Sequence, residues 1–506
     1  MGICMSHEAA PTAEKAEILE DFSKFAKSEE RPKMAVEHQT YDYKTSEEEE
    51  FDDERVAVIC CPHSIGYHPD KIVLIDMDPS SPTYCEILSE VKLTTNGDEP
   101  GRMNWSKSAE SLSEMTKMER RHLVVPCMNT GKIYIIAFEK NTFRIEKEIR
   151  GEELSRKDMC CPYAVRSLPL KGAPVHVSIL GDKNGHGKGD FLLIDRKTWD
   201  IRQKSNSSFA NFGGDFGIQP RHNLIISCEW GHPRLFRDGI SPSELENVSE
   251  SFGSSLHIWQ ISPPKLLQTI DIDPFNGNLI SAVRFLHNGD CNHGFVCSAI
   301  GSSIFHIHMN TLSKQWIADQ VAHVPSLKVE EWQSDEMPAL LTDMIISMDD
   351  RWLYVCAFLQ GTVYRFDIQD PFRVSLHGKI NLGGILESNP NVRLKTSNAM
   401  EDRWWLPPES KAMPRGKKFR GGPGLMQLSK DGTRLYVSNS FYKAWDAQFY
   451  PDLISEGGQM VRVDIINDEM KLNEKFLIDM KDQPDGPYVI RDIKFVDGDC
   501  TSDSFL

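Results

Sequence analysis

No stretch of the 506-residue chain holds eighteen consecutive apolar residues, so a membrane-spanning helix is not expected. No apolar segment with a cleavage site opens it, so secretion through a signal peptide is not expected either. Basic charge is in deficit: 57 Lys and Arg stand against 74 Asp and Glu, a formal net charge of −17. Nonspecific nucleic-acid binding needs basic patches and falls outside that balance. The twelve cysteines follow no regular spacing, so they read as reduced thiols rather than a disulfide framework. Long apolar runs with a 3.6-residue period are also missing, which argues against helical layers.

What is present is a repeated unit. Gly421–Ile465 reads as a short apolar strand (Leu425–Leu428), a Lys430-Asp431-Gly432 turn, a second strand (Leu435–Ser438), a long loop, and an alternating strand from Gln459. Glycine in the turn supplies a positive φ, and the strands are rich in β-formers. Asp343–Ile368 repeats this grammar with an Asp-Asp turn and a Gln360-Gly361 turn. Looser copies occupy Val56–Met77, Arg121–Phe138, Val175–Ile194, His222–Ile261 and Ala282–His308. Seven such units at roughly constant spacing predict an all-β fold, a seven-bladed β-propeller, with both chain ends helping to close the ring. Unrelated hairpins in an α+β protein are the alternative. The propeller is expected over 54–506, with a polar insertion loop at 383–420 and a disordered acidic tail at 1–53.

The tail opens Met1-Gly2-Ile3-Cys4-Met5-Ser6, which fits M-G-x-x-x-[ST]. Gly2 is therefore a candidate for myristate and Cys4 for palmitate. A single acyl chain anchors only marginally, and a second makes anchoring stable. An ordinary exposed N-terminus is the plainer reading. A cytoplasmic protein is expected, with a part of it at the membrane surface if the tail is acylated.

Past the tail, Cys60, Cys61, His63 and His68 resemble a metal set by composition alone. Adjacent cysteines on a strand point to opposite faces, so strand thiols and loop histidines are the better reading. Asp78-Pro79-Ser80-Ser81-Pro82 reads as a turn, and Cys85 is expected to start the next strand.

Several long segments then become recognisable: IDMDPSSPTYCEI, QPRHNLIISCEW, LFRDGISP, RFLHN, EMPALLTDMIISMDDRWLY and AWDAQFYPDLISEG. They resemble the selenium-binding protein family, from about Val56 to the closing Gly498–Asp503. The resemblance implies a β-propeller and selenium held through cysteine. It also implies that active members oxidise methanethiol with oxygen to hydrogen sulfide, formaldehyde and hydrogen peroxide, using copper. Cys85, in SPTYC, occupies the family's selenium-associated position, and a thiolate suits electrophilic chalcogen species. His222 in PRHN and His287 in FLHN occupy family histidine positions and are the candidate metal ligands, since imidazole suits copper. Hydrogen-bonded structural histidines are the alternative for each.

Other family histidines have no counterpart. Its His-His pair meets Gly101-Arg102, its spaced His pair falls near Leu168, with His176 in another register, and its Leu-His-Gly becomes Leu359-Gln360-Gly361. Losing several nitrogen ligands should cut copper affinity sharply.

The remaining motifs are weaker. Gly181–Asp190, GDKNGHGKGD, misses the phosphate-loop spacing and reads as a glycine-rich hairpin turn. His306 and His308 share one face of a strand, but no third ligand is apparent. Trp404-Trp405 and the basic run Arg415–Arg420 in the insertion could meet a partner or cover a propeller face. Three functions follow: a selenium-binding propeller with weakened or lost catalysis, a copper-dependent methanethiol oxidase, or a membrane-recruited scaffold. The first is preferred because of the vacant histidine positions. Small thiols or selenium species are the expected partners.

Overall fold

Apolar β-formers broken by Gly- and Asp-containing turns produce strands throughout the chain, and a computed structural model arranges them as seven antiparallel sheets in a ring. It describes residues 54–501, apart from 116, 203–208, 242–243, 245–246, 396–403 and 405–413. Gly2 and Cys4 lie outside the described residues. Among those described, no helix is long and apolar enough to cross a membrane.

Each sheet is one blade, and its strands run in sequence from the axis outward. Blade 2 is Asn104–Trp105, His122–Pro126, Ile133–Glu139 and Thr142–Ile149; blade 3 is Cys160–Ser167, Val175–Gly181 and Gly187–Ile194. Blade 4 is Phe216–Gln219, Leu224–Cys228, Ser255–Gln260 and Lys265–Asp271; blade 5 is Ile280–Phe285, His293–Ser298, Ser303–Met309 and Trp316–His323. Blade 6 is Leu341–Ile346, Trp352–Ala357, Thr362–Asp367 and Ser375–Asn381; blade 7 is Leu425–Leu428, Arg434–Ser438, Gln459–Ile466 and Glu469–Asp479. Blade 1 breaks the rule. Its outer three strands, Val56–Cys61, Pro69–Asp76 and Ile87–Asn96, come from the start of the propeller, and its innermost strand is Ile493–Phe495. The register Ala57↔Phe495, Val58↔Lys494, Ile59↔Ile493 closes the ring. Glu54 seals the same seam: its carboxylate accepts from Arg434 Nε at 3.0 Å and Tyr436 OH at 3.0 Å in blade 7.

Position in the blade accounts for the sequence patterns. Val56–Cys61 is buried on both faces, so it reads as a continuous apolar run. Its side chains alternate between two interblade cores: Ala57, Ile59 and Cys61 meet Tyr436 and Met460 of blade 7, while Val58 and Cys60 meet Trp105 and Leu123 of blade 2. Each large apolar side chain so buried contributes about 1.5–3 kcal/mol. The outermost strands alternate instead, as in Lys265–Asp271, where every second residue is exposed.

Turns joining first to second strands gather on one face of the ring, here called the turn face. Turns joining second to third strands, and the connections between blades, gather on the opposite connection face. On the turn face, Gly432 has a φ of 73°. Asp431 ties the same turn together through Thr433 N–H at 2.9 Å and Arg434 Nη2 at 2.9 Å.

Three expectations change. The long loop of blade 7 carries two helices, Lys443–Phe449 and Pro451–Glu456, whose Trp445, Phe449 and Leu453 are buried against the connection face. They are too short to show a period. Cys85 does not start a strand: it ends a turn, with a φ of 70°, two residues before Ile87–Asn96. The 383–420 insertion is not wholly loop, because Arg393–Leu394 pairs with Leu327–Glu330 in a small extra sheet that also takes Glu336–Met337.

Candidate functional site

The innermost strands point polar side chains at the axis, and these bind one another. Arg166 of blade 3 donates to Asp215 at 3.0 Å, and Asp215, just before blade 4, accepts from Arg284 of blade 5 at 2.5 Å. Arg284 also reaches Asp343 of blade 6 at 3.1 Å, and Asp343 accepts from Arg102 at 2.8 Å. Arg102 leads into blade 2, which is not a ring neighbour of blade 6, so this last pair spans the axis. Burial alone would raise Asp215, but Arg166, Arg284 and Arg102 hold it down to about 2. Tyr163 OH accepts from Arg102 Nε at 3.2 Å, and its ring packs 4.3 Å from that of Trp230. The axis is therefore filled at this level by a chain of guanidinium–carboxylate contacts under an aromatic cover.

A second buried cluster stands at the connection-face mouth. Glu99 pairs with Arg491 at 2.7 Å and with Lys443 at 2.9 Å. Against the pull of burial, these cations hold Glu99 down to about 2. Asp446, on Lys443–Phe449, accepts instead from Ser440 Oγ at 2.6 Å and Phe441 N–H at 3.0 Å, and burial raises it to about 7.

The candidate metal ligands lie on the turn face. His222 and His287 sit in the adjacent first-to-second turns of blades 4 and 5. The His222 ring is directed at the Gly289 backbone, and its Nε2 is buried with no hydrogen-bond partner. His287 Nε2 meets Ile346 O at 3.2 Å, and its ring lines a small cavity with Arg166, Arg284, Gln219 and Thr501. The two imidazoles thus have separate neighbours.

Where the resemblance implies further imidazoles, other chemistry stands. Arg102 is locked to Asp343. Gln360 is buried, with its amide donating to Pro325 O at 2.9 Å and accepting from Tyr364 OH at 3.2 Å. Leu168 is buried in an apolar cluster. His176 is buried and lowered to about 4 by desolvation, on the second strand of blade 3 rather than at the axis. A guanidinium repels a cation, and neither a doubly engaged amide nor a leucine replaces an imidazole donor. These residues do not fit a copper ion.

Of the eleven cysteines described, Cys60, Cys61, Cys127, Cys228, Cys297, Cys356 and Cys500 are buried. Desolvation raises the Cys228 thiol far up and pushes Cys61 to about 12, so such thiols are poor nucleophiles. Cys85, Cys160, Cys161 and Cys291 are partly exposed. Cys85 donates its N–H to Asp76 O at 2.9 Å and packs beside Tyr84 at the rim of blade 1. Asp76 Oδ2 accepts from Ser81 and Thr83 in the same turn, at 2.5 Å each.

Cys160 and Cys161 were not singled out from the sequence. Adjacent strand residues should diverge, as Cys60 and Cys61 do. Here Cys161 has a φ of 54°, a bulge follows, and the two sulfurs lie 3.3 Å apart. The hydrogen bond from Cys161 lowers Cys160 below the ordinary thiol value. The adjacent pair at a strand start was the available signal.

Comparisons with known proteins agree with this architecture. Residues 38–506 match the family described as 56 kDa selenium-binding protein. A Caenorhabditis elegans protein named as selenium-binding is 75% identical over 100% of this chain and 93% of its own length. The methanethiol oxidase of Homo sapiens is 35% identical over 87% of this chain and 92% of its own. The crystal structure of a hypothetical selenium-binding protein from Sulfolobus tokodaii matches with a TM-score of 0.76 and 26% identity, covering 90% of this chain and 96% of that one.

Proposed function

We propose that this chain, which belongs to the 56 kDa selenium-binding protein family, holds a selenium species through a cysteine thiolate and has weakened or lost the copper-dependent oxidation of methanethiol. The observation that carries this reading is the Arg102–Asp343 pair across the axis, a fixed cation where the family resemblance calls for imidazole. Cys85 is the proposed attachment residue, being partly exposed in the family's cysteine position. The step needs no added oxidant. The Cys85 thiolate attacks selenium in a carrier that holds it between two sulfurs, a new S–Se bond forms, the carrier's S–Se bond breaks, and a small thiolate leaves.

The test is labelling of the full-length protein with selenodiglutathione, followed by peptide mass spectrometry. Cys85→Ser should lower bound selenium more than Cys228→Ser, and equal losses would remove the assignment. Cys160–Cys161 is the second reading, favoured by the 3.3 Å separation of its sulfurs and the lowered Cys160. Selenium on those peptides would select it. In parallel, the purified protein should hold substoichiometric copper and release little hydrogen sulfide from methanethiol. Robust turnover with near-stoichiometric copper would sink the reading and make the chain an oxidase.

A further inference from the structure

Blade 5 carries a cluster that this function does not use. His306 and His308 alternate on Ser303–Met309 and so face one side of the sheet. On the neighbouring strand His293 stands opposite His308 in register, which brings a third imidazole to the same patch. The rings are nearly parallel: centroids lie 5.0 Å apart for His293 and His306, 4.8 Å for His306 and His308, and 6.1 Å for His293 and His308. His293 Nδ1 and His306 Nε2 face each other at 2.8 Å. His306 is fully buried, and its Nδ1 has no hydrogen-bond partner. On the outermost strand, Asp319 Oδ2 accepts from His308 Nε2 at 2.8 Å. Phe372, from the turn of blade 6 between its third and fourth strands, stands edge-on to all three imidazoles at 4.7–5.7 Å.

We propose that His293, His306 and His308 form a binding site for a borderline divalent transition-metal ion, with Zn2+ as the representative. At 2.8 Å the two ring nitrogens share a proton in an N–H···N hydrogen bond, and a metal ion replaces that proton only when the rings move apart. Imidazole is the ligand that zinc, copper and nickel ions prefer among nitrogen donors, and three histidines with one open position make a common catalytic zinc shell. Zn–N bonds of about 2.0–2.1 Å in a tetrahedral shell separate two ligand nitrogens by roughly 3.3 Å. The 2.8 Å pair must therefore open by about half an ångström. As they stand, no three His, Cys, Asp or Glu side chains among the described residues hold metal geometry. The closed pair is the proton-sharing form of the site, and the ion opens it. Asp319 then orients His308 in the way that carboxylates commonly support zinc-bound histidines. Phe372, 58% exposed, covers the patch without a covalent tie, so an ion enters by displacing one side chain.

The experiment is a zinc titration of the full-length protein by chelator competition, with a Co2+ spectrum as a readout of ligand type. The wild type should bind one ion without sulfur-to-cobalt charge-transfer bands, and zinc should raise its melting temperature. His293→Gln should abolish that binding event and the thermal shift. Asp319→Asn should weaken binding by about 10- to 100-fold. His293 is partly exposed and its replacement should fold, and His308→Gln serves as a second ligand variant if it does not. Unchanged zinc affinity in a folded ligand variant, or thiolate bands in the cobalt spectrum, would overturn the site and leave a metal-free imidazole stack.

Discussion

Asp215 on the axis and Asp446 at its connection-face mouth are equally buried, yet the first is held at about 2 and the second rises to about 7. Desolvation acts on both in the same direction. What differs is contact. Asp215 touches two guanidinium groups, from Arg166 at 3.0 Å and Arg284 at 2.5 Å. Asp446 touches a hydroxyl and a backbone N–H, while Arg491, the cation whose charge acts on it, is engaged by Glu99 at 2.7 Å, Pro100 O at 3.0 Å and Ser440 Oγ at 3.2 Å. Depth in the ring does not decide ionisation here; direct guanidinium contact does.

The strongest way to break this contrast is Asp215→Ala. It leaves Arg166 and Arg284 buried without that carboxylate and should cost about 3–5 kcal/mol in denaturant unfolding. A loss below about 1 kcal/mol would mean that the axial chain does not hold the blades together. The next largest effect is in pH. Asp446 has a folded value raised above its unfolded one, so its contribution is present below about pH 4 and is lost as pH rises through about 7. Asp215 is depressed, so its contribution is present above about pH 4 and is lost only as pH falls through about 2. Between pH 5 and 8, Asp446→Asn should therefore remove about 2–3 kcal/mol of pH-dependent stability loss relative to the wild type. Parallel stability curves for the two proteins would refute the assignment. The smallest effect is expected at the seam. Glu54→Gln keeps an acceptor for Arg434 and Tyr436, and Arg434 retains Asp431 at 2.9 Å. The cost should be about 1–2 kcal/mol, read as a lower melting temperature.

The blades were legible because their signals are local. Leu425–Leu428, the Asp431-Gly432 turn and the strand ending at Ser438 lie within a few residues of one another, and each matches the structure. The axis was not legible. Arg102 and Asp343 are 241 residues apart, and neither differs in its sequence surroundings from an ordinary polar residue near a strand. Only closure of the ring brings them together. His293 escaped notice for a related reason: it becomes the third member of its cluster through the register of two strands, while CNHG alone reads as a loop. The Cys160–Cys161 pair was hidden by the alternation rule itself, which a single positive φ at Cys161 overrides.

The placement of Ile493–Phe495 inside blade 1 has a consequence for synthesis. The three strands that it must join are complete by Asn96, but the joining strand leaves the ribosome roughly 400 residues later, after about 20–80 s at 5–20 residues per second. Through that interval Val56–Cys61 offers an unpaired hydrogen-bonding edge with apolar side chains on both sides. The last blade to close is therefore also the first to be made, and its open edge is available for pairing with a neighbouring chain until its own last strand arrives.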